Sequence, residues 1–255
     1  MRTFRILTVA AVVLLAACGS NSTSPTATVD VNALVNQMSG GGIATYSSAA
    51  LAVSVPGAST AASVPTSATS SCPYSSTDQR FECAPVTTNG LTITRSFALL
   101  DASGQPLSTL DPTAVVAIHT IADVKGTLPA SGLGTVTIDR HDDETMSGIR
   151  TSVHTLNGTS TQKTTIVMNS ITYASNETGT TTNLQLPAPT ATSLWPTSGT
   201  ITTDRTITVT PGLTITSHEV LSFDGTSIAT LTRTSAGSTM SCKIDLSGRI
   251  LPACS

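Results

Sequence analysis

The chain has 255 residues, a formal charge of −3 and only 11% charged residues, while Ser and Thr fill roughly a third of it. Twelve Lys and Arg spread over the whole length exclude the basic face of a nucleic-acid binder, and the scarcity of Glu and Lys excludes a coiled coil or helical bundle. Eight aromatic rings in total leave few for a sugar-stacking platform. The length admits one large domain or two small ones.

At the N-terminus, Arg2 and Arg5 precede an apolar run from Ile6 to Ala17. A charged stretch followed by an apolar stretch of this length reads as a signal peptide, and it is shorter than the roughly 20 apolar residues that span a bilayer. The run ends in Leu15-Ala16-Ala17-Cys18-Gly19. This resembles the lipobox of bacterial lipoproteins: an aliphatic residue, two small residues, then Cys. The resemblance implies that residues 1–17 are removed, that the Cys18 thiol is diacylated and that the new amino terminus is acylated. Several acyl chains on one residue suffice for stable membrane anchoring. It also implies a bacterial envelope location, and Gly19 in place of Asp favours the outer membrane. Residues 1–17 hold two of the 12 basic side chains and no acid, so the remainder carries 10 basic and 15 acidic groups. Such a chain has no electrostatic reason to bind anionic headgroups, which leaves the lipid as the anchor.

Residues 18–29 are small and polar and form a flexible tether. A short helix follows, with Asp30 as its cap, Val31, Leu34, Val35 and Met38 on one face, and Gly40-Gly41-Gly42 as its stop. Residues 43–53 fit a second helix or a strand. Residues 54–71 return to Ser, Thr, Ala and Pro and read as a linker.

From Cys72 onward the dominant pattern is alternation of apolar and polar residues rich in Thr, Val and Ile, which specifies half-buried strands. Strands are expected over 91–99, 116–124, 135–139, 149–156 and 161–173, with turns at Asp101-Ala102-Ser103-Gly104, Ser147-Gly148, Asn157-Gly158 and Asn176-Glu177-Thr178-Gly179. Pro187, Pro189, Pro196 and Gly199 make 187–200 a loop. A closing meander runs through 201–210, 213–223, 226–234, 239–244 and 249–253, with turns at Pro211-Gly212, Asp224-Gly225 and Ala236-Gly237. The expected fold is therefore mainly β: an antiparallel meander of about ten strands over 72–255, curled into a half-barrel or split into a sandwich, preceded by a short helical segment.

Four cysteines remain beside Cys18, in two local pairs. Cys72 with Cys83 closes a polar loop, and Cys242 with Cys254 closes a hairpin about Ser247-Gly248. Each bridge would contribute about 3 kcal/mol through loop closure. The spacings do not match the short gaps of zinc ligands, and an exported chain meets an oxidising compartment.

The sharpest charged cluster is Asp139-Arg140-His141-Asp142-Asp143-Glu144. A two-residue turn at Ser147-Gly148 would set His141 opposite His154, with Asp143 on the same face. A solvated hairpin end is the expectation, with no tightly bound metal. His119 and His218 read as isolated strand residues and Trp195 as a loop anchor. No Gly-x-Ser-x-Gly elbow, His-Glu-x-x-His or phosphate-cradling loop is present. The sequence thus points to a membrane-anchored envelope lipoprotein without enzymatic activity or cofactor. Its partners would be the bilayer, through acylated Cys18, and an unidentified protein or hydrophobic ligand. A carrier of lipids or hydrophobic ligands is the alternative, and a metal-dependent hydrolase is less favoured.

Overall fold

The computed structural model describes residues 72–88, 90–130, 134–168, 171–187, 195–210 and 212–246. Cys18, the helix expected from Asp30 and Cys254 lie outside these residues.

Runs of alternating Thr, Val and Ile form twelve strands: β1 (Tyr74–Ser75), β2 (Arg80–Thr88), β3 (Leu91–Leu100), β4 (Pro106–Leu107), β5 (Ala117–Ala130), β6 (Gly134–Ser147), β7 (Val153–Met168), β8 (Ile171–Pro187), β9 (Ser198–Thr210), β10 (Leu213–Ser222), β11 (Ile228–Ser235) and β12 (Ser238–Asp245). Ten of these are long and two, β1 and β4, have two residues each. All pair antiparallel in one sheet, in the order β1-β2-β3-β5-β6-β7-β8-β9-β10-β11-β12, with β4 beside β3. Each long strand lies next to its neighbour in the chain, as short connections require.

The sheet does not close: β1 and β2 form one edge and β12 the other. One apolar cluster nevertheless joins Phe81 and Phe97 near the first edge to Leu231, Cys242 and Ile244 near the second, with Leu99, Met146, Leu156, Leu184, Ile201 and Leu221 between them. The sheet is therefore curled, and its concave face carries the core. The Phe81 and Phe97 rings stack at 5.0 Å, and Tyr74 meets Phe81 edge-on at 5.2 Å. The convex face carries Thr, Ser and charged residues.

An open sheet has two rows of unpaired backbone groups, and both edges here carry a cystine. Cys72 is bonded to Cys83 of β2. The same strand bulges between Cys83 and Val86, where Pro85 stands. On the far edge, Cys242 of β12 is disulfide-bonded; its expected partner, Cys254, lies outside the described residues.

Several expected turns are not turns. Asn157-Gly158 lies inside β7, where the pairing with β8 shifts between Leu156 and Gly158. Asn176 to Gly179 lies in the middle of β8. Both glycines serve close approach: a Cβ on Gly158 would collide with the Asp143 carbonyl and lie 2.7 Å from Glu144 Cα, and one on Gly179 would strike the Ser160 hydroxyl. Ser147-Gly148 opens a longer loop, residues 148–152, rather than a two-residue turn. Asp224-Gly225 likewise belongs to a loop running from Phe223 to Ser227. Gly225 has φ +87°, but Asp224 is not in the left-handed region and instead accepts the Thr226 amide and hydroxyl at 3.1 and 2.7 Å. The turns at Asp101–Gly104 and Ala236-Gly237 form as expected. Gly104 N–H donates to the Asp101 carbonyl at 3.0 Å, and Ala236 and Gly237 both have positive φ.

Candidate functional site

The charged cluster 139–144 is not a hairpin end. It lies within β6, and alternation sends its members to opposite faces. His141, Asp143 and Asp139 point outward, whereas Arg140, Asp142 and Glu144 point into the concave face. The loop at 148–152 also changes the register. His141 pairs with Thr161 and not with His154, and His154 is buried on the concave side at 1% exposure. The two imidazoles expected to face each other lie on opposite faces of the sheet. Asp143 does share the face of His141. Among the described residues no group of three or more His, Cys, Asp or Glu is placed to hold a metal ion.

Every outward histidine meets a carboxylate on the adjacent strand. His141 Nδ1 lies 3.1 Å from Asp123, His218 Nδ1 2.7 Å from Asp204, and His119 Nε2 2.6 Å from Asp143. His119 and His218 are therefore not isolated; cross-strand register supplies a partner that sequence separation hides. At His119 the tautomer is determined. Arg80 Nη1, which can only donate, lies 3.1 Å from Nδ1, so Nδ1 accepts and Nε2 carries the proton given to Asp143. Arg80 also donates from Nε to the Ser96 hydroxyl at 3.0 Å. This chain of contacts crosses β2, β3, β5 and β6.

On the outward side of β8 to β11, an open cleft of about 550 Å³ lies over Asn176, Thr178, Thr206, Thr216 and the Asp204–His218 pair. The turn at Ala236-Gly237 forms part of its rim. The lining offers hydroxyl, amide, carboxylate and imidazole groups and no Phe, Tyr or Trp, which suits hydrogen bonding to a polar surface.

The concave face holds a second constellation, which the sequence reading did not single out. Glu177, Arg205, Glu219 and Arg233 form a ladder across β8, β9, β10 and β11. Arg205 Nε lies 3.0 Å from Glu177 Oε1, and its Nη1 lies 3.5 Å from Glu219 Oε1. Arg233 Nε donates to the same Glu219 oxygen at 2.9 Å. Arg205 and Glu219 are essentially excluded from water. On β6, Arg140 grips both oxygens of Asp142 at 2.8–3.1 Å, and it donates to the Gln162 amide oxygen at 3.2 Å. Arg140, Gln162, Glu177 and Arg205 stand in register on four successive strands. The signal was legible in Ile201-Thr202-Thr203-Asp204-Arg205-Thr206-Ile207: Arg205 shares its parity with Ile201 and Ile207, the face that is buried.

Glu144 stands apart from these pairs. It is 6% exposed. Burial pushes its carboxyl up to about 7, helped by neighbouring Asp142 and opposed by Arg140. Burial also lowers the pKa of His154, whose two ring nitrogens have no hydrogen-bond partner.

No protein-family model, curated protein or solved structure matches the chain.

Proposed function

We propose that this chain is a lipid-anchored bacterial envelope protein that works by binding or scaffolding rather than by catalysis. The observation that carries the reading is Leu15-Ala16-Ala17-Cys18 at the end of a charged and then apolar leader. Acylated Cys18 holds the chain to the bilayer, with Gly19 favouring the outer membrane. The non-enzymatic part of the reading draws on how the reactive groups are committed. Each outward imidazole is paired with a carboxylate, and the concave face is occupied by packed leucines and isoleucines and by ion pairs. The surface available to a partner is then the convex one, which includes the cleft over β8 to β11.

A hydrophobic-ligand carrier is the second reading. It draws on half-exposed apolar residues at the far end of the concave face, Val136, Ile166 and Tyr173, with Leu213 at 37% exposure. Leu156, Leu184, Ile201 and Leu221, each at 1% or less, together with the ionic ladder, confine such a ligand to that rim.

Detergent phase partitioning and mass spectrometry of the N-terminal peptide test the main reading. The native protein should enter the detergent phase and begin at an acylated Cys18. Cys18→Ser should remain unprocessed or turn soluble. A Cys18→Ser protein that partitions like the native one would place the anchor elsewhere and overturn the reading.

A further inference from the structure

The hairpins β5–β6, β7–β8 and β9–β10 project past the rest of the sheet at one end. Strand β3 pairs with β5 only as far as Leu91 with Gly126, and β11 pairs with β10 only from Ser217 onward. Strands β5 to β10 run further, to the pairs Ala130–Gly134, Met168–Ile171 and Val209–Leu213, and stay hydrogen-bonded to one another. This six-stranded tongue carries no charge. The last charged row on the outward side is Lys125, Asp139 and Lys163, in register on β5, β6 and β7, with Lys125 3.5 Å from Asp139. The last on the concave side is the adjacent row, Arg140, Glu177 and Arg205. Beyond these rows, residues 126–138, 164–176 and 206–217 contain no Asp, Glu, Lys, Arg or His, in a chain that is 11% charged. The connections at the opposite end present Asp111, Arg150 and Asp224 to solvent, so the lack of charge belongs to the tongue. Apolar side chains there stand open: Val167, Ile171 and Leu213 are exposed, and Tyr173 is half-buried. Alternation puts Val167 on the outward face with Lys163, and Ile171 and Leu213 on the concave one. A single ligand held inside the curl would leave Val167 in water; a surface met end-on covers both faces.

We propose that this tongue is a membrane contact of the folded body, its tip seated in the headgroup–acyl boundary of a phospholipid bilayer. Beyond the charged rows β5 to β8 continue for five residues, about 17 Å at the rise of a strand, roughly half of a hydrocarbon core about 30 Å thick. That length sets the upper limit of immersion. The backbone sets a shallower one. Among the described residues, 128–130 of β5 and 213–216 of β10 have no strand on their outer side, and unpaired backbone groups are not tolerated in hydrocarbon. The tip therefore reaches the boundary, about 5–10 Å deep as other interfacial elements do, and stops where Lys125, Asp139 and Lys163 remain in water. The exposed Thr hydroxyls of the tongue and the amphipathic ring of Tyr173 suit that depth. Apolar transfer drives the contact, so it is insensitive to salt and needs no anionic lipid. The inference is independent of acylated Cys18.

Photo-crosslinking of the purified full-length protein to phosphatidylcholine vesicles, with a diazirine on the acyl chain of a tracer lipid, tests the contact. Mass spectrometry should map the crosslinks to residues 128–136, 166–173 and 209–215 and leave 101–114, 148–153 and 223–228 unlabelled. The pattern should be the same at about 0.1 M and about 1 M salt. Val167→Asp/Leu213→Asp should lower the tongue signal at least about tenfold, the loss of roughly one apolar side chain's transfer energy. Val153→Asp, at an exposed site on the opposite end, should leave the signal unchanged. Crosslinks spread over both ends, a tongue signal that disappears in high salt, or a Val167→Asp/Leu213→Asp protein labelled like the native one would each overturn the proposal. So would a tracer lipid that stays bound one-to-one after the vesicles are removed, which would make the tongue the mouth of a carrier. If the double variant does not fold, the map of the native protein decides. An acylated Cys18 with an unlabelled tongue would keep the anchor and overturn this contact, whereas a labelled tongue in a chain without acyl groups would do the reverse.

Discussion

Glu219 Oε1 accepts charge from two sides at once: Arg233 Nη2 lies 2.9 Å away and Arg205 Nη1 3.5 Å away, with all three side chains at 4% exposure or less. One carboxylate thus compensates charge on two strands, in a place where water cannot. Removing a buried charge's partner costs more than the pair itself contributes, because the survivor stays buried. Glu219→Gln should therefore destabilise by about 3–5 kcal/mol, read as a lower urea midpoint at unchanged slope. The double variant Glu219→Leu/Arg233→Met removes acid and base together and leaves Arg205 on Glu177. It should lose less than the single variant, and a larger loss would show that the ladder is held by something other than this pairing.

The same ladder shows what could be read in advance. Alternation in residues 201–209 assigns each side chain to a face, and the buried parity of Arg205 follows directly from Ile201 and Ile207. The strand-rich meander, the Cys72–Cys83 bridge and the turns at Asp101 and Ala236 rest on equally local signals. What could not be read is register. Ser147-Gly148 looks like a complete turn, which would set His141 opposite His154; Ser147 instead pairs with Thr155, so the partner of His141 lies seven residues further on, at Thr161. Likewise the partners of His119 and His218 depend on which strand residue stands alongside, and nothing local to either histidine specifies that. Gly158 and Gly179 misled for a different reason. In-strand glycines that make room for a neighbour look the same in sequence as glycines that bend the chain.

The two in-strand glycines should respond differently to one added methyl group. On Gly158 the methyl meets the backbone of Asp143 and Glu144, which cannot move without breaking the β6–β7 pairing. Gly158→Ala should cost at the upper end of the range for overpacking, about 3 kcal/mol. On Gly179 the obstacle is the Ser160 hydroxyl, a side chain that can rotate or be deleted. Gly179→Ala should cost about 1 kcal/mol, and Ser160→Gly in the same chain should recover most of it. Thermal melts of the three variants check this; equal losses at both positions would contradict it.

The pH dependence of global stability should carry a Glu144 component of known sign. Its carboxyl moves from an ordinary 4.5 to about 7 on folding, chiefly through burial. Folding therefore takes up a proton between those values, and stability falls as pH rises across them. The full interval corresponds to about 3 kcal/mol lost by pH 8 or so. Urea unfolding of wild type and Glu144→Gln at a series of pH values isolates the component. The difference between the two curves should slope across this interval and flatten above it. A flat difference throughout would mean that the folded-state carboxyl titrates normally.

The open edges of the sheet give the last prediction. Cys72–Cys83 ties the segment before β1 to β2, the strand whose outer backbone groups lie free beyond its short pairing with β1. Closing this loop, with a sequence separation of 11, should contribute about 3 kcal/mol by restricting the unfolded chain. Cys72→Ser/Cys83→Ser should lose that amount. It should also release the first edge, because the cystine, the bulge and Pro85 act together to keep β2 from pairing with another chain. The expected signature is a lower unfolding midpoint together with concentration-dependent association, measured by sedimentation velocity. Non-reducing peptide mapping of the same variant should still show Cys242 joined to Cys254, since the two bridges guard opposite edges and close separate loops. A peptide joining Cys242 to any other cysteine would break that picture, as would a variant that loses stability yet stays monomeric at every concentration.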